Sequence, residues 1–128
     1  MKILGIGVDI IQNSRIKRAI KNKSFVNRIF TKSEISSSKI RNYKTNYFAK
    51  SFAAKEAFIK SIGIGIRKGI NFKDIYVIND KSGKPNIKFS NKVNNLIIKK
   101  FKTRKFDIFL SLSDEKNYSI AFVVIQKK

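Results

Sequence analysis

The sequence predicts an α+β domain, an antiparallel sheet packed on one long central helix with several short helices around it. Three observations carry this expectation. The stretch from Asn46 to Ile62 contains no Gly or Pro and ends at a glycine-rich break that includes Gly63 and Gly65. Two pairs of apolar segments, 72–78 with 86–89 and 106–113 with 118–125, are each joined by a short polar turn. The start of the chain, residues 2–9, reads as a buried strand in which Gly5 and Gly7 leave room for a second backbone. At 128 residues the chain is one domain, 1–128, long enough for a core of its own.

The elements follow in order. After the first strand, Asn13 or Ser14 can cap a helix from about Arg15 to Ile20, with Ile16, Ala19 and Ile20 as its apolar stripe. Ser24 opens a second short turn, and Thr31-Lys32-Ser33-Glu34 is a capping box that starts a third helix. The polar run 36–42 reads as a loop or a frayed helix end. The central helix then presents Phe48, Phe52 and Ile59 to the core. Residues 63–70 form a glycine loop that lacks the spacing of a dinucleotide or P-loop motif. Phe72 to Ile78, the turn through Gly83-Lys84-Pro85 and the segment 86–89 make a hairpin. Ser90 or Asn91 caps a further helix with Val93, Leu96, Ile97 and Phe101 inward, and residues 106–113 and 118–125 close the sheet.

Composition excludes several chemistries. The chain has no Cys and no His, which removes disulfides, thiolate nucleophiles, imidazole metal ligands and histidine-based triads. A metal site must be built from oxygen, which favours magnesium, calcium or manganese over zinc. No stretch is apolar enough to span a membrane, and the first residues reach an acid too soon for a signal peptide, so a cytoplasmic location is expected. The net charge of +21 has two readings: an anionic partner, or the Lys-, Ile- and Asn-rich usage of an AT-rich genome. The lysines read as scattered rather than blocked.

Three places can carry chemistry. Asp9 ends a run of six uncharged residues, an awkward position for an acid unless it borders a site, and equally consistent with an exposed strand end. Glu56, one of only eight carboxylates, lies four residues before Lys60 on one helix face; taken alone, this is an ordinary ion pair worth about 0.3–0.5 kcal/mol. Ser111-Leu112-Ser113-Asp114 is a hairpin mouth whose polar side chains could also bond phosphate. Together they suit phosphate chemistry without histidine. Two carboxylates can hold a hard cation, a lysine can neutralise a transferring phosphoryl group, and a glycine loop lets amides approach phosphates.

Gly5-Ile6-Gly7-Val8-Asp9-Ile10, Phe52-Ala53-Ala54-Lys55-Glu56-Ala57-Phe58-Ile59-Lys60 and Ser111-Leu112-Ser113 before an apolar strand resemble the holo-acyl-carrier-protein synthases. These are the small-type 4′-phosphopantetheinyl transferases, and the likeness covers essentially the whole chain. The resemblance implies that fold and a transfer of phosphopantetheine from coenzyme A to a serine of acyl carrier protein, releasing adenosine 3′,5′-bisphosphate, for fatty acid biosynthesis. It makes Asp9 and Glu56 magnesium ligands, Glu56 the group that helps remove the serine proton, and Lys60 the cation on the pyrophosphate. Gly63, Gly65, Gly83, Lys84, Pro85 and Ser113 are expected along coenzyme A. Arg15, Lys17 and Arg18 are expected to dock the acidic carrier protein. The resemblance further implies a homotrimer with active sites between subunits, and neither a membrane nor a nucleic acid as partner.

Two positions depart from the family pattern. Asp114 stands where many relatives have His, and Ser51, preceded by Lys50, where many have a basic residue. Both changes remove positive charge near the expected 3′-phosphate; Asp9, Glu56 and Lys60 are untouched. Two other readings follow from the residues: a nucleic-acid-binding module, suggested by the charge, and a relative that binds coenzyme A without transfer.

Overall fold

The computed structural model describes residues 1–63 and 69–128. The chain runs through strand β1 (Lys2–Gln12) and helices α1 (Asn13–Ala19), α2 (Lys23–Ile29), α3 (Lys32–Ser38) and α4 (Lys44–Ile62). Strands β2 (Ile75–Asn79) and β3 (Pro85–Phe89), helix α5 (Asn91–Phe101) and strands β4 (Phe106–Asp114) and β5 (Tyr118–Lys127) follow. The α+β expectation holds, with one change in the sheet. The five strands divide into a three-stranded antiparallel sheet, ordered β1-β5-β4, and a separate β2-β3 hairpin. Between them the link is made by side chains: Phe89 stacks on Phe58 of α4 at 5.4 Å and on Phe106 of β4 at 6.5 Å.

Helix α4 is the hub. Phe48, Ala53, Ala54, Ala57, Phe58 and Ile62 are buried along it, and the helix packs on β1 and on β5, whose inner face carries the buried Ala121, Val123 and Ile125. A fully buried phenylalanine such as Phe58 contributes about 1.5–3 kcal/mol of transfer free energy. The closest approach in this layer is between backbones. A Cβ on Gly5 would overlap the Ser61 carbonyl, and one on Gly7 would overlap the Ala57 carbonyl. The two glycines therefore let β1 lie directly on α4, as their spacing in the strand predicts. One strand repeat of two residues matches one helical step of four, so β1 and α4 run in antiparallel register.

Several local expectations shift. Asn13 does not cap α1 with its side chain; it is buried, its amide donates to the carbonyls of Glu115 and Lys116, and its Oδ1 accepts from Ser119 Oγ at 2.7 Å. It ties β1's exit to the β4–β5 turn, a long-range role no local pattern announces. Helix α2 is capped by Asn22, whose Oδ1 accepts from the Ser24 and Phe25 amides, so Ser24 lies inside the helix. Residues 72–74 form one 3-10 turn before β2 rather than its first residues. The capping box at Thr31 and Glu34 and the cap at Ser90 form as expected. No helix among the described residues is long and apolar enough to cross a membrane.

Candidate active site

The β1–α4 contact sets three charged groups side by side. Gly5 faces Ser61 and Gly7 faces Ala57, so the next inward residue of β1, Asp9, comes level with the preceding part of α4, where Glu56 lies. Lys60 Nζ donates to Asp9 Oδ1 at 3.0 Å and to the Val8 carbonyl at 3.1 Å. The ammonium thus bridges from α4 to β1 and pairs with Asp9, not with Glu56 on its own helix face. Lys60 is half-exposed and Asp9 largely covered, an ion pair at the rim of the protein.

Burial, and then the charge of Asp9, pushes the Glu56 carboxyl above its ordinary value, with Lys60 opposing. Two carboxylates are thus held close enough to repel, against one shared cation. That arrangement suits a divalent cation binding with few protein oxygens. No group of three or more Asp, Glu, His or Cys side chains placed to hold a metal exists among the described residues.

The other expected residues lie apart. Ser113 is directly paired with Ile120, which is paired with Ile10, whereas Asp9 is paired with Ala121. Directly opposed residues share a face, so Ser113 and Asp9 lie on opposite faces of the same sheet. Gly83, Lys84 and Pro85 form the exposed end of the β2–β3 hairpin, where Asp80 Oδ1 accepts from the Ser82 and Lys84 amides. Gly63 ends α4 with φ 80°, the left-handed cap that glycine favours. Gly65 lies outside the described residues. Arg15, Lys17 and Arg18 are exposed on α1 around the buried Ile16. Surface cavities of about 290 and 490 Å³ lie beside Lys17 and Lys50, and neither is lined by Asp9, Glu56 or Lys60.

Of the two departures from the family pattern, Asp114 meets the lysine that precedes the other, Ser51. Asp114 accepts from Asn46 Nδ2 at 2.7 Å and lies 3.5 Å from Lys50 Nζ, while Ser51 is buried. Lys50 is therefore the cation beside Asp114, and its charge is partly neutralised there.

Lys55 was not singled out by the sequence. It is fully buried, and its ammonium donates to Glu34 Oε1 at 2.7 Å and to the carbonyls of Ile29, Ile75 and, at 3.3 Å, Phe72. Glu34 Oε2 in turn accepts from the Val77 amide. One buried pair so joins α2, α3, α4 and β2 immediately beside Glu56. Desolvation lowers the Lys55 pKa, with Glu34 opposing. A sequence signal existed: Phe48, Lys55 and Ile62 are seven residues apart, which puts a lysine on the core stripe of α4.

Comparison with known proteins finds relatives that match the chain along nearly its whole length. A family profile described as the 4′-phosphopantetheinyl transferase superfamily matches residues 5–123. The chain is 53% identical over 128 residues to a holo-[acyl-carrier-protein] synthase of Pelagibacter ubique, covering 100% of both chains. The solved holo-[acyl-carrier-protein] synthase of Neisseria meningitidis superposes with a TM-score of 0.87 at 38% identity, covering 98% of this chain and 100% of that one. That of Bacillus anthracis, in complex with CoA (3′,5′-ADP), gives 0.80 at 35% identity with 98% of each chain covered. With full-length similarity in sequence and in fold, the chain belongs to the holo-acyl-carrier-protein synthase family of the 4′-phosphopantetheinyl transferase superfamily.

Proposed function

We propose that the protein transfers 4′-phosphopantetheine from coenzyme A to a serine hydroxyl of apo-acyl carrier protein, releasing adenosine 3′,5′-bisphosphate. The observation that carries the reading is the juxtaposition of Asp9 and Glu56, with Lys60 between α4 and β1, on the glycine contact. The serine oxygen forms a bond to the phosphorus that carries pantetheine. The bond from that phosphorus to the bridging pyrophosphate oxygen breaks, and the nucleotide leaves with the electron pair. Glu56 accepts the serine proton; its raised pKa makes it a stronger base than an ordinary carboxylate. Lys60 turns from Asp9 to the leaving phosphate, where a cation offsets developing charge.

Asp9 and Glu56 would hold magnesium, because two oxygens plus water and substrate phosphate satisfy that ion. When bound, the metal supplies charge neutralisation at the pyrophosphate. Gly63, Gly65, Gly83, Lys84, Pro85 and Ser113 are assigned to coenzyme A, and Arg15, Lys17 and Arg18 to the carrier. The placement of Ser113 supports a site shared between copies of the chain, since one copy cannot turn Ser113 and Asp9 toward the same ligand.

The outer face of the sheet supports the same assembly. Ile6, Val8, Ile10, Phe109, Ile120 and Phe122 are all exposed on it, an apolar surface of the kind that subunit contacts cover. We assign the protein to a homotrimer acting in the cytoplasm in fatty acid biosynthesis. The deciding experiment incubates it with coenzyme A, magnesium and apo-acyl carrier protein and weighs the carrier. The expected result is a phosphopantetheine increment on the carrier; a folded protein that leaves its mass unchanged refutes the reading. Sedimentation equilibrium reads the trimer, and a monomer at assay concentration removes it.

A further inference from the structure

The segment Lys99-Lys100-Phe101-Lys102-Thr103-Arg104-Lys105 holds five cations in seven residues, a block that the impression of scattered lysines overlooks. The fold keeps it open and enlarges it. All five cations are exposed, while Phe101 is half-buried toward the core. Lys2 is paired with Lys127 across β1 and β5, Phe106 is paired with the same Lys127, and the Lys128 amide donates to the Lys105 carbonyl at 3.1 Å. The exposed Lys2, Lys127 and Lys128 therefore join the block at one end of the three-stranded sheet. The same segments carry one acid, Asp107, already paired with Lys128 at 3.3 Å. Lys102 ends α5 at φ 56°, the sole non-glycine with positive φ among the described residues, so a cation occupies a place that favours glycine.

The proposed carrier surface does not account for this end. Helix α1 begins where β1 finishes, ten residue steps from Lys2, or about 33 Å along the strand. That is several times the screening length of about 8 Å at physiological salt. Charges here cannot guide a partner docked on α1.

We infer that this end of the molecule binds the phosphate backbone of nucleic acid without regard to base sequence, against the expectation that no nucleic acid is a partner. Such binding needs closely spaced exposed cations and nothing else. Phe101, the one aromatic residue of the block, packs against the core, so base stacking is not the mode. A protein partner draws its affinity from apolar anchors, and a lipid surface holds a basic segment best when apolar side chains enter with it. Residues 99–105 expose no large apolar side chain; the exposed Met1 and Ile3 flank Lys2 at the edge of the patch rather than entering it.

The test measures anisotropy of a fluorescein-labelled 20-base-pair duplex of mixed sequence with the full chain. Five phosphate contacts give a slope of about −4.5 in log affinity against log salt, so affinity falls roughly 500-fold from 50 to 200 mM salt. The variant K99Q/K102G/R104Q/K105Q flattens that slope by about 3.6 and weakens binding at 50 mM at least tenfold. Its melting temperature is not lowered, since glycine suits the left-handed position of Lys102, and its transfer activity stays at the wild-type value. K99Q/R104Q/K105Q, which leaves the helix cap intact, gives the same direction if the larger variant fails to fold. Wild-type binding by the folded variants overturns the inference. So does a block-dependent affinity for vesicles of one-third phosphatidylserine, or for apo-acyl carrier protein, exceeding that for the duplex at the same salt. Neither result bears on the transfer reaction, which the carrier mass reads separately.

Discussion

Replacing Gly7 by alanine tests whether the backbone contact of β1 on α4 builds the catalytic arrangement. The new Cβ would lie 2.8 Å from the Ser61 amide nitrogen and 2.9 Å from the Ala57 carbonyl carbon, and would overlap the Ala57 carbonyl oxygen. Ordinary contact begins at 3.4 Å, so the strand must retreat by at least 3.4 − 2.8 = 0.6 Å from the nitrogen alone, and further from the oxygen. None of these atoms is the end of a flexible side chain, so the strand and helix move as units. Overpacking of this kind costs about 1–3 kcal/mol, which for a chain of this size lowers the melting temperature by roughly 4–12 °C. Asp9 lies two residues along the same strand and moves with it, away from Glu56 and Lys60. A misplacement of about 1 Å at reacting groups costs on the order of 100-fold in rate. Thermal unfolding and steady-state kcat on apo-acyl carrier protein read both effects. A Gly7→Ala protein with wild-type kcat refutes the reasoning, whatever its melting temperature, because the strand would then have moved without moving the site.

Asp9→Asn and Glu56→Gln each abolish carrier modification in a folded protein; near wild-type activity of either across magnesium concentrations refutes the metal assignment. Glu56→Gln also raises the melting temperature at neutral pH without ligands. A raised folded-state pKa means that stability falls as pH rises through it, and the gain vanishes below the ordinary carboxylate range. Lys60→Met lowers kcat by roughly 100- to 1,000-fold with the carrier KM little changed, whereas a fall in carrier affinity alone would place Lys60 in docking. Lys55→Met, which leaves Glu34 buried without its ammonium, destabilises by about 3–5 kcal/mol, and adding Glu34→Gln recovers part of the loss in a denaturant titration. Additive losses from the two substitutions would show that the pair is not a unit.

How much of this could be read from the sequence depends on the range of the interactions. The glycine contact was legible in part because two glycines at strand spacing have one common use, the approach of another backbone, although which backbone, that of α4, was not. The Thr31–Glu34 capping box and the Ser90 cap were legible because their groups lie within one turn of chain. Asn13 and Lys55 were misread or passed over because their partners are 102 and 21 residues away, at Glu115 and Glu34. Local pattern makes Asn13 a cap, and the core-stripe spacing of Lys55 gives no hint of its partners. The pairing of Lys60 was hidden for the same reason, since helix spacing proposes Glu56 and only the β1–α4 register offers Asp9. The five strands divide into a sheet and a hairpin joined by ring stacking of Phe89 on Phe58 and Phe106, which no periodicity encodes.

The two ion pairs of α4 show how the helix is put to use. Lys55 and Glu34 are fully buried and satisfied by backbone carbonyls and amides, so neither is free to take a new partner. Lys60, five residues and more than a turn further on, meets Asp9 at the rim and is half-exposed, so in the proposed reaction this bond could be exchanged for one to substrate phosphate or a metal. A buried pair contributes little net stability, but it fixes which elements meet and where. By clamping α2, α3 and β2 to the residue next to Glu56, the inner pair sets the position of α4 from one side while the glycines set it from the other. Between these two constraints Glu56 is held partly buried and near Asp9, and burial first, then the Asp9 charge, raises its pKa. The protein gives up some stability there, and in the proposed reaction a cation or the serine proton would relieve that cost.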